Sequence, residues 1–242
     1  MKAPLIQVSH GTTLRNLIPT LVSSRSFSIT LISLLIIDLG MAVFHVLLNF
    51  GYIPDRGWHL EVSNGYAERA QYLKLTSCII LSIISFFRKG NNLRLSIAAV
   101  FVLLLLEDSL ELHESFHRFA QPIIPLSAGF GLTPAQWWEL LYGVIVGASL
   151  VAATAWAVSI SRDAHLRQLA LAVLCLLILF GGFGLGVDAV HAVFQTRGGS
   201  IYLESALGML EELGEMVCIT GIVALLFYDL TSPPISSDPC PG

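Results

Sequence analysis

The chain has 242 residues, of which 55% are hydrophobic and only 12% charged, with a formal net charge of −4 and a mean hydropathy of +0.74. Those values exclude an ordinary soluble domain, and the lack of a basic stripe excludes nucleic acid as a partner. The four cysteines have no CxxC spacing and offer no disulfide framework, and the three inside apolar runs, Cys78, Cys175 and Cys218, read as small buried apolar residues.

In chain order, residues 1–26 form a mixed polar tail carrying Lys2, Arg15 and Arg25, without the apolar length of a secretory signal. The first apolar run covers 27–50 and contains Asp38 and His45. A loop over 51–64 holds Pro54, Gly57 and Trp58, the last an interfacial anchor. The second run, 66–87, opens on Glu68, Arg69 and Lys74, and the basic turn RKGNNLR separates it from the third, 95–117. Pro122, Pro125, Gly129 and Gly131 mark the next loop. Thr133-Pro134 with Gln136 then predicts a capping box and a helix start for the fourth run, which ends at Ile160. The fifth run, 169–191, contains GGFGLG; with no strand before it, this is not a nucleotide loop, and Gly182 and Gly186 fit small-residue helix packing. The sixth run is 201–228, and the proline- and serine-rich tail 230–242 reads as disordered.

Runs of about 20 residues match a hydrocarbon core about 30 Å thick. The fold expected is therefore all-α, a polytopic membrane helical bundle of about six transmembrane helices over 27–229. Lys2, Arg15, Arg25, Arg88, Lys89, Arg94, Arg162 and Arg167 fall on one side, against Arg56, Arg69, Lys74, Arg118 and Arg197 on the other. The positive-inside rule then puts both termini in the cytoplasm.

Three of the runs carry ionisable groups where such groups are costly and mark function or internal pairing. The third holds Glu107, Asp108, Glu111, His113, Glu114 and His117; the fifth, Asp188 and His191; the sixth, Glu204, Glu211, Glu212 and Glu215. In continuous helices, Glu107, Glu111, Glu114 and His117 form one stripe, and Glu204, Glu211 and Glu215 another. His113 points away from the first stripe. At about 1.5 Å per residue the stripes share a depth in the outer half of the bundle, with His45 near the shallower groups. So many acids cannot all stay ionised together: either several are protonated or a cation holds them.

The spacing favours a cation. Glu114-x-x-His117 and Asp188-x-x-His191, with single carboxylates from Glu111 and Glu211, make the ligand set of carboxylate-bridged metal bundles. Such donors suit one or two ions of iron, manganese or zinc. Glu107, Asp108, His113, Glu212, Glu215, Glu204, Glu68 and His45 are then supporting or relay groups. Glu139 reads as a helix-start carboxylate favoured by the dipole. The function expected is that of a metal-binding membrane protein, with an oxidoreductase or hydrolase acting on a lipid-like substrate as its enzymatic form; the alternatives are a proton- or cation-coupled transporter and a non-catalytic scaffold. The partners expected are membrane lipids, with a homo-oligomer for the transport reading.

The segments GYAERAQYLK, LLEDSLELHE and LEELGEM resemble motifs of uncharacterised multi-pass bacterial membrane proteins, in which an acidic pair precedes a His-Glu pair in one helix. The resemblance runs from the first span onward through Glu68, Glu107, Asp108, His113, Glu114, Asp188, His191, Glu211, Glu212 and Glu215. It implies a bacterial inner-membrane location and brings no activity with it.

Overall fold

The computed structural model describes residues 14–198 and 200–232, except for the side chains of residues 14–16, 18, 114 and 201. Residues 1–13 and 233–242 of the two expected tails fall outside the described residues. The described chain is helical: α1 (Leu14–Ser23), α2 (Arg25–Asn49), α3 (Tyr66–Lys89), α4 (Asn92–Ser109), α5 (Leu112–Ala120), α6 (Pro134–Ile160), α7 (Ala164–Gly181), α8 (Asp188–Thr196) and α9 (Ile201–Thr231). A wide π turn, Gly182–Val187, joins α7 to α8, so that Ala164–Thr196 is one helical stretch.

Five stretches are long and apolar enough to cross a membrane: Arg25–Asn49, Tyr66–Lys89, Pro134–Ile160, Ala164–Thr196 and Tyr202–Thr231. α2 shows why they suit lipid. The side chains it buries are Asp38, Ala42 and His45, while Ile29, Ile32, Ile36, Leu39 and Val43 face outward. That is the reverse of a water-soluble helix, in which the apolar stripe turns inward. An apolar exterior over a polar seam is stable only where the surroundings are hydrocarbon.

α9 is the central helix, packed by α2, α3 and α7. Its middle turns bury Met216, Ile219, Thr220, Ile222 and Ala224 completely. Around it Leu75, Cys78, Phe101, Leu169 and Val173 close the apolar core. α4 lies against α3 and α6, and α6 against α7, so α3, α4, α6, α7 and α9 form a ring. α1 packs on α2 and α7 with Leu17 and Leu21 in the same core. Gly214 lets the Phe183 ring lie directly on the α9 backbone, where a Cβ would overlap the ring. A ring cannot fold aside as a flexible chain tip can, so Gly214→Ala should cost about 1–3 kcal/mol. Thermal unfolding in detergent reads this as a lowered midpoint.

Two buried ionic knots tie the elements together. Asp38 accepts from Lys74 Nζ and from Thr220 Oγ1 at 2.7 Å, joining α2, α3 and α9. Asp229, near the end of α9, accepts from Arg94 through Nε and Nη2, both at 2.8 Å, with Lys89 Nζ at 3.5 Å. The turn that presents Lys89 and Arg94 depends on Gly90 and Asn91 at positive φ; the Asn91 side chain accepts from Leu93 N–H. α6 opens on the expected capping box of Thr133 and Gln136.

The third expected span departs from an uninterrupted helix to His117. α4 carries Arg94, Glu107 and Asp108 and stops at Ser109. Leu110 N–H still reaches Leu106 O, but Glu111 N–H reaches only Asp108 O, and Glu111 takes a left-handed backbone (φ 48°, ψ 46°). α5 restarts when Ser115 N–H bonds Glu111 O. The single stripe of Glu107, Glu111, Glu114 and His117 therefore does not form. The glycine contacts also shift: a Cβ on Gly182 or Gly186 would meet nothing, whereas Gly184 takes the Glu215 carboxylate and Gly143 takes Leu185.

Candidate functional site

The helix break and the π turn both face one cavity of about 630 Å³ inside the ring. Its carboxylates come from every wall: Glu61 from the 59–63 loop, Glu68 from α3, Glu107 and Asp108 from the end of α4, Glu111 from the break before α5, Glu139 from α6, Asp188 from α8, and Glu211, Glu212 and Glu215 from α9. No lysine or arginine among the described residues lines it. Much of the remaining wall is apolar, with Leu75, Leu104, Leu177 and Phe180 belonging also to the chain's own core.

Several of these acids are held by neutral donors. Glu68 accepts from Asn64 N–H, which steadies the start of α3, and from the Tyr72 hydroxyl. Glu215 accepts from Gln71 Nε2 at 3.1 Å and lies over Gly184, whose lack of a side chain leaves room for it. Three others face imidazoles: Glu107 Oε1 is 2.7 Å from His113 Nδ1, Glu139 Oε1 3.7 Å from His117 Nδ1, and Glu211 Oε2 3.5 Å from His191 Nδ1. A histidine paired to a carboxylate is the usual means of fixing ring orientation beside a metal or along a proton path.

Of the residues singled out from sequence, Glu68, Glu107, Asp108, Glu111, His113, Asp188, Glu211, Glu212 and Glu215 line this one cavity. His117 and His191 stand behind its wall, each against a lining carboxylate. His113 lines it rather than pointing away, because the break at Glu111 swings α5 round so that His113 meets Glu107. Glu204 is not among the lining groups; it belongs to the first turn of α9. The Glu114 side chain lies outside the described residues.

His45 stands apart from the acids on α4. It is buried on α2 beside a turn that sequence reasoning passed over as a loop. There His45, His59 and Glu61 bring one ligand atom each to within 4.8 Å of one another. No other such trio of His, Cys, Asp or Glu occurs among the described residues. The turn is fixed at both ends. Trp58 lies between Phe44 and Tyr66, with ring centroids at 4.2 and 4.5 Å, and Asp55 accepts from Gly57 N–H and the Tyr66 hydroxyl. The available signal was the run His59-Leu60-Glu61 directly after an interfacial tryptophan, at the membrane end where His45 leaves α2. Gln71 and Tyr142, two further polar groups on the cavity wall, sit inside apolar runs and carry no such signal.

No curated protein and no solved structure matches the chain. A family model matches residues 65–229, which contain every lining carboxylate except Glu61. The chain belongs to that family, described as a domain of unknown function (DUF8692).

Proposed function

We propose that the chain is an integral membrane metalloprotein that takes a divalent cation into the acidic cavity, with manganese or iron the best-suited ions and zinc the third candidate. The observation that carries this reading is the cavity wall itself: ten carboxylates from five helices and two loops, with no lining lysine or arginine among the described residues. Such a wall needs positive charge from protons or from an ion, and oxygen donors select hard divalent cations. The carboxylates stand wider apart than a closed ligand shell, which suits an ion that keeps several waters. Asp188, Glu211 and Glu111 are the ligands we assign, with Glu212 and Glu215 completing the shell through water. His191 and His117 stand 3.5 and 3.7 Å from Glu211 and Glu139, so the Glu-x-x-His and Asp-x-x-His pairs serve the site with their imidazoles behind the wall. The apolar part of the wall fits the chain of a lipid-like substrate, placing its polar end beside the ion. In this reading the protein resides in a bacterial inner membrane with both termini cytoplasmic.

The test is manganese binding to the full chain purified in mild detergent without chelators, followed by electron paramagnetic resonance. Stoichiometric binding is expected, and it should be lost in Glu211→Gln with Glu212→Gln. Wild-type protein that is folded yet binds no manganese, iron or zinc would overturn the reading and leave the cavity as a proton-holding relay. Undiminished binding in the double variant would overturn the ligand assignment.

A further inference from the structure

We infer that His45, His59 and Glu61 form a second metal site, selective for a zinc-like transition ion and distinct from the oxygen-rich cavity. Two imidazoles and one carboxylate are the donor set of a three-ligand zinc centre, which leaves a fourth position for water or substrate. The three ligand atoms already lie within 4.8 Å of one another, close enough for one ion to bridge them with small side-chain rotations. The two rings meet edge to face, with centroids 4.6 Å apart and planes inclined by 68°, and are not stacked on one another.

Three further features point the same way. His59 Nδ1 is buried with no hydrogen-bond partner. A buried polar atom left in that state is costly and is commonly explained by an ion or water. Leu60 N–H donates to His45 Nδ1 at 3.1 Å, which ties this buried ring to the 59–61 turn, and an ion bound at that nitrogen takes the place of this one hydrogen bond. Its other nitrogen lies 3.0 Å from the Asn49 side-chain amide, the kind of partner that orients a ligating imidazole. Glu61 is placed by α9: its carboxylate lies against Gly208, where a Cβ would collide with it. The rigid parts are therefore α2 and α9, and the turn carried by Trp58 closes between them.

The trio shares Glu61 with the rim of the acidic cavity but uses none of its deep carboxylates. It also lies wholly before residue 65, where the family match begins. The two sites are therefore chemically separable, nitrogen-rich against oxygen-rich.

The experiment is a titration of the purified full chain with Co²⁺, watching visible d–d absorption. A four-coordinate site with two imidazoles absorbs strongly, whereas an oxygen-ligated octahedral ion in the cavity absorbs weakly. One strongly absorbing Co²⁺ per chain, displaced by Zn²⁺, is expected. His59→Ala should remove the band. Gly208→Ala, which deletes no ligand but displaces Glu61, should weaken binding by about 10–100-fold. Glu211→Gln with Glu212→Gln should leave the band intact even where manganese binding is lost, which separates this inference from the cavity reading. Should His59→Ala fail to fold, Glu61→Gln serves in its place. An intense band that survives both His59→Ala and Glu61→Gln, or no band in folded wild-type protein, overturns the site.

Discussion

Lys74→Met is expected to destabilise the protein by about 3–5 kcal/mol, because it strands the Asp38 carboxylate in the core. Asp38 is 1% exposed and Lys74 5% exposed, so neither charge has water to fall back on. Thr220 Oγ1 would remain as a donor at 2.7 Å, but one neutral hydroxyl does not balance a buried carboxylate. The size of the loss reflects the orphaned partner more than the net worth of the pair. It follows that Lys74→Met combined with Asp38→Leu should recover most of the stability, since a buried ion pair is often replaceable by apolar residues of similar volume. Thermal midpoints of the two single variants and the double variant in one detergent make the comparison. A double variant as unstable as the worse single one would show that the pair has a role beyond mutual neutralisation.

A second large effect is expected at the other end of α9. Asp229 is shared by Arg94, through two 2.8 Å bonds, and by Lys89 at 3.5 Å. Asp229→Leu leaves the buried Arg94 and the partly buried Lys89 without their shared carboxylate, whereas Arg94→Met leaves Lys89 still paired with it. Both should destabilise, the first by about 3–5 kcal/mol and the second by visibly less. The order of the two midpoints is the decisive reading. Equal losses would mean that Lys89 contributes nothing to holding Asp229, and that the packing of the 88–94 turn on α9 rests on Arg94 alone.

The helical spans were legible in the sequence because the apolar runs are long and their boundaries carry strong local chemistry. Thr133, Pro134 and Gln136 set the start of α6 by hydrogen bonds within a few residues, and local signals of that kind survive folding. The gathering of the acids was legible too, since depth follows from residue number alone. Facing was another matter. It assumes an unbroken helix, and one left-handed residue at Glu111 re-aims everything after it, bringing His113 to Glu107. Nothing in LEDSLELHE marks that residue, because no glycine or proline is present to signal the turn. The same holds for Gly184. GGFGLG announces close packing, but which glycine meets a neighbour is decided by the wide turn and by Glu215 across the gap. His59 and Glu61 were missed for a third reason: their partner His45 lies 14 and 16 residues earlier, and only the seating of Trp58 on Phe44 and Tyr66 brings the turn back to it.

The π turn between α7 and α8 puts the reading frame of one helix out of step with the other. Its extra residue is absorbed without breaking the rod, and such wide turns are frequent at functional sites. Everything C-terminal of it is thereby rotated about the axis by roughly one residue's worth, about 100°. Asp188 and His191 face Glu211 because of that offset. Their place at the cavity is thus encoded by a count of residues and not by side-chain type. Loss of one residue from Gly182–Val187 would let the segment relax to an ordinary helix and turn Asp188 off the wall and His191 away from Glu211, with every cavity carboxylate still present in the sequence.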